Sequence, residues 1–369
     1  MTSRLWKTPF TEALKLKYPI VQAPCAGHSS AELVAAVSNA GGLGSFGAGM
    51  TPAAALQKVI KDIREKTDKP YAINLFCRPT PPPTSEQLQK PYETEGALHD
   101  LRADLKLETP TSYTMRSPPL DEQIEVMLQE KVPVVSYTFG ILPEDALDRF
   151  WKSGAYIIGT ATSVSEALKL AGLDPSDPKR KADAIVAQGL EAGGHRGSFI
   201  DGGEDVPVET LVSQIKAALQ GTNVPVIAAG GISTGEDVSR LLKESGADAV
   251  GLGTLFMLSQ ESATNQAHRQ ILLKAQGETI ISKAWTGKRA RGYPNVLTKR
   301  LGAVEDIPPY DIHSAKTKDI VGYATQIGNT DYMSLFSGTN ASNAAKFSEN
   351  GTLSATAIFE KLVKEVEAQ

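Results

Sequence analysis

Apolar residues occur along this chain in short blocks, and polar residues fill the stretches between them. Eight blocks are almost continuously apolar and rich in β-branched residues, and most are followed by a segment with the one-sided apolar pattern of a helix. A strand that is apolar on both faces is typical of a parallel sheet whose two faces are covered. The sequence therefore predicts eight parallel strands, at residues 19–23, 43–46, 71–76, 133–138, 156–160, 184–188, 225–229 and 249–253.

A series of eight similar strand–helix units predicts an α/β fold, the (β/α)8 TIM barrel, in which the sheet closes on itself. An open doubly wound sheet is the main alternative, and the regular series of units favours closure. Two stretches fit neither scheme. Residues 77–119 predict a long excursion after the third strand, and residues 258–332 predict a smaller domain or lid beside the barrel mouth. We expect the barrel within residues 1–257 and a C-terminal segment, 333–369, whose helix returns to it.

Composition narrows the class of protein without naming its function. The chain has 369 residues, of which 41% are hydrophobic and 22% charged, and its formal net charge is −4. This balance is ordinary for a globular enzyme and favours neither nucleic acid nor an anionic membrane as a partner. No run approaches the roughly 18 apolar residues of a membrane span, and the first residues lack an apolar leader. We expect an intracellular, cytoplasmic protein without a metal, and its oligomeric state stays open.

Glycine-rich turns follow the last two predicted strands. Gly230 and Gly231 come after the seventh strand, and Gly253 and Thr254 come after the eighth. In a barrel of this type ligands bind at the carboxyl ends of the strands, and glycine lets backbone N–H groups approach an anion closely. Such glycines also serve tight turns that bind nothing. Their occurrence on two adjacent strands favours a phosphate site.

The loop after the sixth strand, GLEAGGHRG at 189–197, contains a histidine beside two glycines. His195 is predicted to face the mouth as a general base or hydrogen-bond donor, because imidazole titrates near neutral pH. The alternative is a glycine turn whose histidine caps a helix or lies in solvent. A zinc-binding HExxH motif is absent from the sequence.

Other candidates lie at strand ends and in the predicted lid. Ala23 and Pro24 are small residues that would leave room for a flat ring, and Asn74 is a polar residue inside an apolar strand. The Asn74 amide needs partners, which a ligand or the neighbouring backbone could supply. The lid supplies weaker substrate-site candidates, two of them from a basic run that is equally consistent with a solvated surface: Lys288, Arg291, Tyr293 and Tyr332.

Several of these segments together resemble the four motifs of the nitronate monooxygenases, formerly called 2-nitropropane dioxygenases, and they occur in the order typical of that family. Cys25 stands where many relatives have methionine. Among the family, the length and the excursions are most similar to those of the fungal members. The segments are QAP at 22–24, VSNAGGLG at 37–44, NLF at 74–76, GLEAGGHRG at 189–197 and PVIAAGGI at 225–232.

The resemblance implies an FMN-containing barrel that uses O2 to oxidise alkyl nitronates to carbonyl compounds and nitrite, with neutral nitroalkanes as a second candidate substrate. It implies that His195 removes a proton from a nitroalkane or forms a hydrogen bond with the nitronate. Two alternatives stay open: an NAD(P)H-dependent FMN reductase of the enoyl-thioester or quinone type, and a phosphate-binding barrel without redox chemistry. The FMN site implied by the resemblance comprises Gln22, Ala23, Pro24, Asn74, Gln188, Gly193, Gly194, Gly230, Gly231, Gly253 and Thr254.

Overall fold

Eleven strands occur in the part of the chain that the structure describes. The structure is a computed structural model, and it describes residues 3–78, 81–200 and 205–369. In chain order the strands are β1 (Ile20–Gln22), β2 (Gly44–Gly47), β3 (Tyr71–Phe76), β4 (Val134–Thr138), β5 (Tyr156–Ala161), β6 (Ala184–Gln188), β7 (Gly194–His195), β8 (Val226–Ala229), β9 (Ala249–Leu252), β10 (Ile280–Ser282) and β11 (Ala290–Gly292).

Eight of these strands form one sheet in the order β1-β9-β8-β6-β5-β4-β3-β2, and each adjacent pair is parallel. The two ends of this order meet at Leu43. Its N–H donates to Ile20 O at 3.0 Å, and its carbonyl accepts from Gln22 N at 3.0 Å. This contact closes the sheet, so the predicted TIM barrel is confirmed and the open doubly wound sheet is excluded.

Helices surround the barrel and cover its outer face. Apolar side chains fill the barrel axis, and Phe10 and Leu14 close the axis at the amino-terminal end. Within the described ranges no helix is both long and apolar enough to cross a membrane. The helices are α1 (Ser3–Trp6), α2 (Pro9–Leu14), α3 (Ala31–Asn39), α4 (Ala53–Lys66), α5 (Ser85–Gln89), α6 (Glu95–Leu105), α7 (Leu120–Gln129), α8 (Glu144–Lys152), α9 (Val164–Ala171), α10 (Val208–Ala218), α11 (Gly235–Lys243), α12 (Thr254–Met257), α13 (Gln266–Lys274), α14 (Val296–Leu301), α15 (Tyr310–Ile327), α16 (Ala341–Phe347) and α17 (Ala355–Glu367), with a 3₁₀ turn at Thr330–Tyr332.

Local side-chain hydrogen bonds start the barrel helices and position the loops above them. Ser163 begins α9 by accepting from the N–H of Glu166. The buried Glu166 carboxylate then accepts from Thr162 N at 2.6 Å and from the N–H groups of Phe199 and Ile200 at 2.6 and 2.9 Å. One carboxylate thereby fixes part of the loop that follows β6 at the barrel mouth.

Two segments distant in the chain pack together over the barrel mouth, and we call residues 81–119 and 280–336 together the cap. Leu98 and Leu101 of the first segment share an apolar cluster with Trp285 of the second. Ion pairs join α6 to α15, among them Arg102 with Asp319 at 2.8 Å. The two stretches that depart from the strand–helix pattern therefore form a common structure over the mouth.

Candidate active site

A cavity of about 540 Å³ lies at the carboxyl ends of the barrel strands, beneath the cap. Most of the residues that the sequence analysis singled out lie on its wall, although they come from five different strand ends. This is the arrangement expected for a barrel, because parallel strands bring their carboxyl ends to one face. The singled-out residues on the wall are Ala23, Pro24, Asn74, Gln188, Gly193, Gly194, His195, Gly230, Gly231, Gly253 and Thr254.

The glycine turns after β8 and β9 form a cradle of backbone donors. Gly230 and Gly231 have φ angles of +137° and +68°, a backbone region that side chains other than glycine rarely adopt. The N–H groups of Gly231, Gly253 and Thr254 donate to no acceptor within the described residues. Donors left unpaired beside a cavity favour an anionic ligand such as a phosphate.

A segment that follows the cap completes this cradle. Gly338 N donates to Thr254 Oγ1 at 3.0 Å, and Asn340 Nδ2 donates to Gly231 O at 3.0 Å. The packing is close, since a Cβ atom on Gly193 would lie 2.4 Å from Gly338 N. The sequence analysis missed this segment. Its small and polar letters, SGTN at 337–340, were the available signal.

His195 lies on a short strand with paired backbone, and not on a flexible loop. It forms β7, which pairs antiparallel with β11 of the cap. Gln188 Nε2 donates to His195 O at 3.0 Å, and Gln188 Oε1 accepts from Gly197 N at 2.7 Å. The buried Arg196 donates to Gly189 O at 2.6 Å. These bonds fix the path of the loop. The structure therefore does not place His195 in open solvent, which was the alternative in the sequence analysis.

The His195 ring lies among aromatic rings and forms one side-chain hydrogen bond. Its Nε2 lies 2.8 Å from Thr286 Oγ1. The aromatic neighbours are contributed by the barrel and by the cap, with ring centroids between 5.1 and 6.2 Å from the imidazole: Phe76, Phe139, Tyr310 and Phe336.

Comparison with known proteins assigns the chain to a family. A family model described as nitronate monooxygenase matches residues 7–365. The chain belongs to the nitronate monooxygenase family. A protein named probable nitronate monooxygenase, from Staphylococcus aureus strain JH9, is 35% identical over 353 residues, which are 95% of this chain and 96% of that protein. This nitronate monooxygenase family member is accordingly an oxidoreductase.

Solved structures agree with this family assignment. Nitroalkane oxidase from Streptomyces ansochromogenes superposes with a TM-score of 0.83 and 31% sequence identity, over 98% of each chain. FabK from Thermotoga maritima gives a TM-score of 0.73 and 26% identity, over 98% of this chain and 96% of that one. The expected likeness to fungal members is not borne out, since the relatives described here come from bacteria.

The environment of His195 changes its acid–base behaviour from the one predicted. Burial, together with the charges of Lys288 and Arg116, lowers the pKa of His195 from 6.5 to about 3. The imidazole of this nitronate monooxygenase family member is therefore uncharged throughout the neutral range, whereas its sequence predicts titration near pH 7. A neutral imidazole can accept a proton or donate one hydrogen bond.

Two further histidines, His28 and His268, line the same cavity, and no pattern in the sequence indicated a role for either. The rings of His28 and His268 lie 5.1 Å apart, and His268 Nε2 lies 2.9 Å from Phe336 O. Burial lowers the pKa of His28 to about 3 and that of His268 to about 4. This wall of the cavity is therefore polar but uncharged.

The side-chain amide of Asn74 forms one hydrogen bond within the barrel. Its Nδ2 donates to Ser136 Oγ at 2.9 Å, on the adjacent strand. The Asn74 side-chain oxygen accepts no hydrogen bond from the described residues, and the residue lines the cavity. One half of the amide is thus bonded to a side chain of the adjacent strand rather than to the backbone, and the other half remains available to a ligand.

Gln22 is the one predicted cofactor residue that does not lie on the cavity wall. Its Oε1 accepts from Ser45 N at 2.9 Å, and its Nε2 donates to Ala23 O at 2.5 Å. The side chain is buried between β1 and β2. Its position supports Ala23 from behind and differs from the expected one because a buried amide bonds first with the adjacent strand.

The two predicted lid cations also lie outside the cavity wall. Lys288 Nζ donates to Ser198 O at 2.7 Å and lies 4.9 Å from the centroid of the Phe139 ring. The buried Arg291 donates through Nε to Leu190 O at 2.9 Å. Both cations brace the loop around His195 from its outer side, where backbone carbonyls satisfy them.

The two predicted lid tyrosines are placed by packing. Tyr293 is buried in the main apolar core. Tyr332 is partly exposed, and its hydroxyl donates to Asp104 at 3.0 Å. Neither side chain is on the cavity wall.

The cap instead contributes residues that the sequence analysis did not single out. They come from stretches without regular periodicity, so no sequence signal placed them at the mouth. Among them are Arg116, Thr286, Tyr310 and Phe336.

Proposed function

We propose that this protein oxidises alkyl nitronates with O2 to carbonyl compounds and nitrite, with FMN bound in the cavity, and that it also accepts neutral nitroalkanes. The observation that carries the proposal is an uncharged imidazole, His195, on the wall of a cavity whose other end is a cradle of unpaired backbone donors. Membership of the nitronate monooxygenase family supports the same chemistry.

The residues present fit FMN. The free N–H groups of Gly231, Gly253 and Thr254 suit the three acceptor oxygens of a phosphate monoester. Ala23 and Pro24 lie on the wall with side chains too small to obstruct a flat ring. When bound, FMN supplies an electron acceptor that O2 can reoxidise. The remaining work of binding, orientation and proton transfer falls to the protein.

The two nitrogens of His195 have different surroundings. Nε2 is 2.8 Å from Thr286 Oγ1, and that hydroxyl is 3.5 Å from the carbonyl oxygen of Lys288. When the Thr286 hydroxyl donates to this carbonyl, it accepts the Nε2–H of His195. The lone pair of His195 Nδ1 is then free to take the α-proton of a neutral nitroalkane. A preformed nitronate has already lost that proton and needs only to be held.

The aromatic rings around His195 keep this step away from bulk water. Phe139 and Phe336 have centroids 5.3 and 5.1 Å from the imidazole, and Tyr310 lies 5.5 Å away. Apolar rings also accommodate the alkyl part of a substrate. They strengthen every electrostatic interaction in the cavity because they lower the local dielectric constant.

An absorbance spectrum of the purified protein tests the proposal. We expect flavin bands that bleach on anaerobic addition of ethyl nitronate and return with O2, with nitrite and acetaldehyde formed in air. Mass spectrometry of the released cofactor should identify FMN. Bleaching by NAD(P)H without nitronate would point instead to the reductase alternative. A protein that stays colourless after incubation with FMN would point to the non-redox phosphate-binding barrel.

A further inference from the structure

The cavity wall carries a single formal charge within the described residues. Arg116 is the one Lys, Arg, Asp or Glu among its lining residues. The three histidines on the wall are uncharged at neutral pH, since burial lowers their pKa values to between about 3 and about 4: His28, His195 and His268. An otherwise neutral cavity therefore holds one guanidinium.

Arg116 has no carboxylate partner in the described part of the chain. The nearby Asp311 is already paired with Arg78 at 2.8 Å. Burial lowers the pKa of Arg116, and the neighbouring Tyr310 acts in the opposite direction and raises it. Arg116 is half-buried, and a guanidinium partly withdrawn from water without an anion is unfavourable. This arrangement favours an anion that arrives from outside.

Arg116 and the phosphate cradle belong to different parts of the molecule. Arg116 belongs to the cap and lines the cavity together with His195 and Tyr310, whose rings are 5.5 Å apart. Its charge affects the pKa of both. The cradle is built from the turns after β8 and β9 and from residues 337–340. The anion that Arg116 would meet is therefore one that lies beside His195.

We propose that Arg116 binds the two oxygens of the substrate's nitronate group and thereby favours the anionic form of the substrate. The proposal rests on the function proposed above. A guanidinium presents parallel N–H donors whose spacing matches two oxygens on one atom, and a nitronate carries its negative charge on two such oxygens. A neutral nitroalkane has the same two oxygens without the net charge, so it gains less from this contact.

The contact between Arg116 and the nitronate also affects His195, the proposed proton acceptor. Arg116 is one of the charges that lower the pKa of His195. A bound nitronate offsets that charge, so proton transfer from a nitroalkane to His195 becomes more favourable as the nitronate forms. Arg116 would act on the oxygens while His195 acts on the carbon-bound proton.

Nitrate is a suitable probe because it is planar, anionic and unreactive. Its affinity for the holoenzyme is measured by calorimetry in the wild type, Arg116→Gln, Arg116→Lys and Arg149→Gln. Arg149 is the matched control, because it pairs with Glu125 on the exposed face of α8. We expect nitrate binding to weaken roughly 10- to 100-fold in Arg116→Gln, as is typical for loss of a charged hydrogen bond, less in Arg116→Lys, and not in Arg149→Gln.

Steady-state kinetics give the second measurement. In Arg116→Gln the KM for ethyl nitronate should rise by a similar factor, whereas the KM for neutral nitroethane should stay within about threefold. Nitrate affinity equal to wild type in both Arg116 variants would overturn the proposal. So would a folded Arg116→Gln protein that loses its flavin, because Arg116 would then serve the cofactor.

The two proposals can fail separately. A wild-type protein that does not oxidise any nitronate contradicts the proposed function, while the nitrate titration still decides whether Arg116 binds an anion. If Arg116→Gln does not fold, Arg116→Lys keeps the charge and most of the packing, and unchanged nitrate binding and nitronate KM in that variant would contradict two-oxygen recognition.

Discussion

In the proposed mechanism, His195 acts as a base on neutral nitroalkanes but not on preformed nitronates. The His195→Asn variant keeps a polar side chain but cannot accept a proton near neutral pH. We expect it to retain FMN and to lose about 10²- to 10⁴-fold of its turnover with nitroethane, the contribution of a positioned base. It should keep a substantial share of its turnover with ethyl nitronate. Both substrates are assayed side by side from pH 5 to pH 9.

Thr286 provides the matched comparison for this prediction. Thr286→Ser keeps the hydroxyl that contacts His195 Nε2, and Thr286→Val removes it at nearly the same volume. Only the valine variant should follow His195→Asn in losing nitroethane turnover. Equal damage to both substrates in His195→Asn would mean that the histidine holds the anion or the flavin, and no damage would remove it from the mechanism.

The sequence predicted the positions of residues near the ends of strands. It did not predict their pKa values or their contacts. His195 and Asn74 could be placed at the mouth because His195 lies in the loop that follows an apolar block and Asn74 lies near the end of one. The low pKa of His195 depends on the cap that buries it, and the cap has no periodic pattern. For the same reason Arg116 was missed, while Lys288 was favoured by a basic run that in fact braces backbone.

At the scale of elements, we expect the turns after β8 and β9 to decide whether FMN stays bound. In Gly231→Glu a carboxylate enters the cradle of free N–H groups and repels a phosphate. A new Cβ would also lie 3.1 Å from Glu191 Cβ, at a φ of +68°. We expect a folded protein that retains little FMN, measured as the ratio of flavin to protein absorbance with circular dichroism to verify folding.

Gly154 offers a control of the same kind. It has a φ of +84° and nothing within 4 Å of an added Cβ, and it follows α8 away from the cavity. Gly154→Glu introduces the same side chain at a comparable backbone strain, so it should keep its FMN. Full flavin occupancy in folded Gly231→Glu would show that the phosphate lies elsewhere.

The boundaries of the strands show which elements could be predicted from the pattern of apolar residues. The strands β3 and β6 begin and end where the apolar blocks do, since a strand covered on both faces is almost continuously apolar. The small sheet of β7, β10 and β11 was not predicted. Its strands are two or three residues long, which is too short for any periodicity to appear.

At the scale of the whole molecule, buried histidines make stability depend on pH. Burial lowers the pKa of four histidines from 6.5 to between about 3 and about 4, so the folded protein does not bind these protons near pH 5, whereas the unfolded chain does. The free energy of unfolding should therefore be greatest above pH 6.5 and fall as the pH falls toward 4. Each such histidine contributes about 1.4 kcal/mol per pH unit in this window.

Urea unfolding at pH 7, 6 and 5 measures this slope. His268→Gln removes one buried imidazole and should make the slope shallower by about one proton. His99→Gln, on the exposed face of α6, is the matched control and should leave the slope unchanged. A slope that is identical in wild type and His268→Gln would contradict the assignment of a buried, uncharged imidazole to that position.

The ion pairs that hold the cap together join residues very far apart in the chain. Arg102 and Asp319 are separated by 217 positions, and Lys316 and Glu95 by 221. Contacts of such high contact order close large loops and form late, after the local strand–helix units have assembled. We therefore expect the cap to open as a unit while the closed barrel persists, as occurs in the sub-global unfolding of other proteins. Amide hydrogen exchange should therefore be faster in α6 and α15 than in the barrel strands, and each such opening would expose His195 and the floor of the cavity to water.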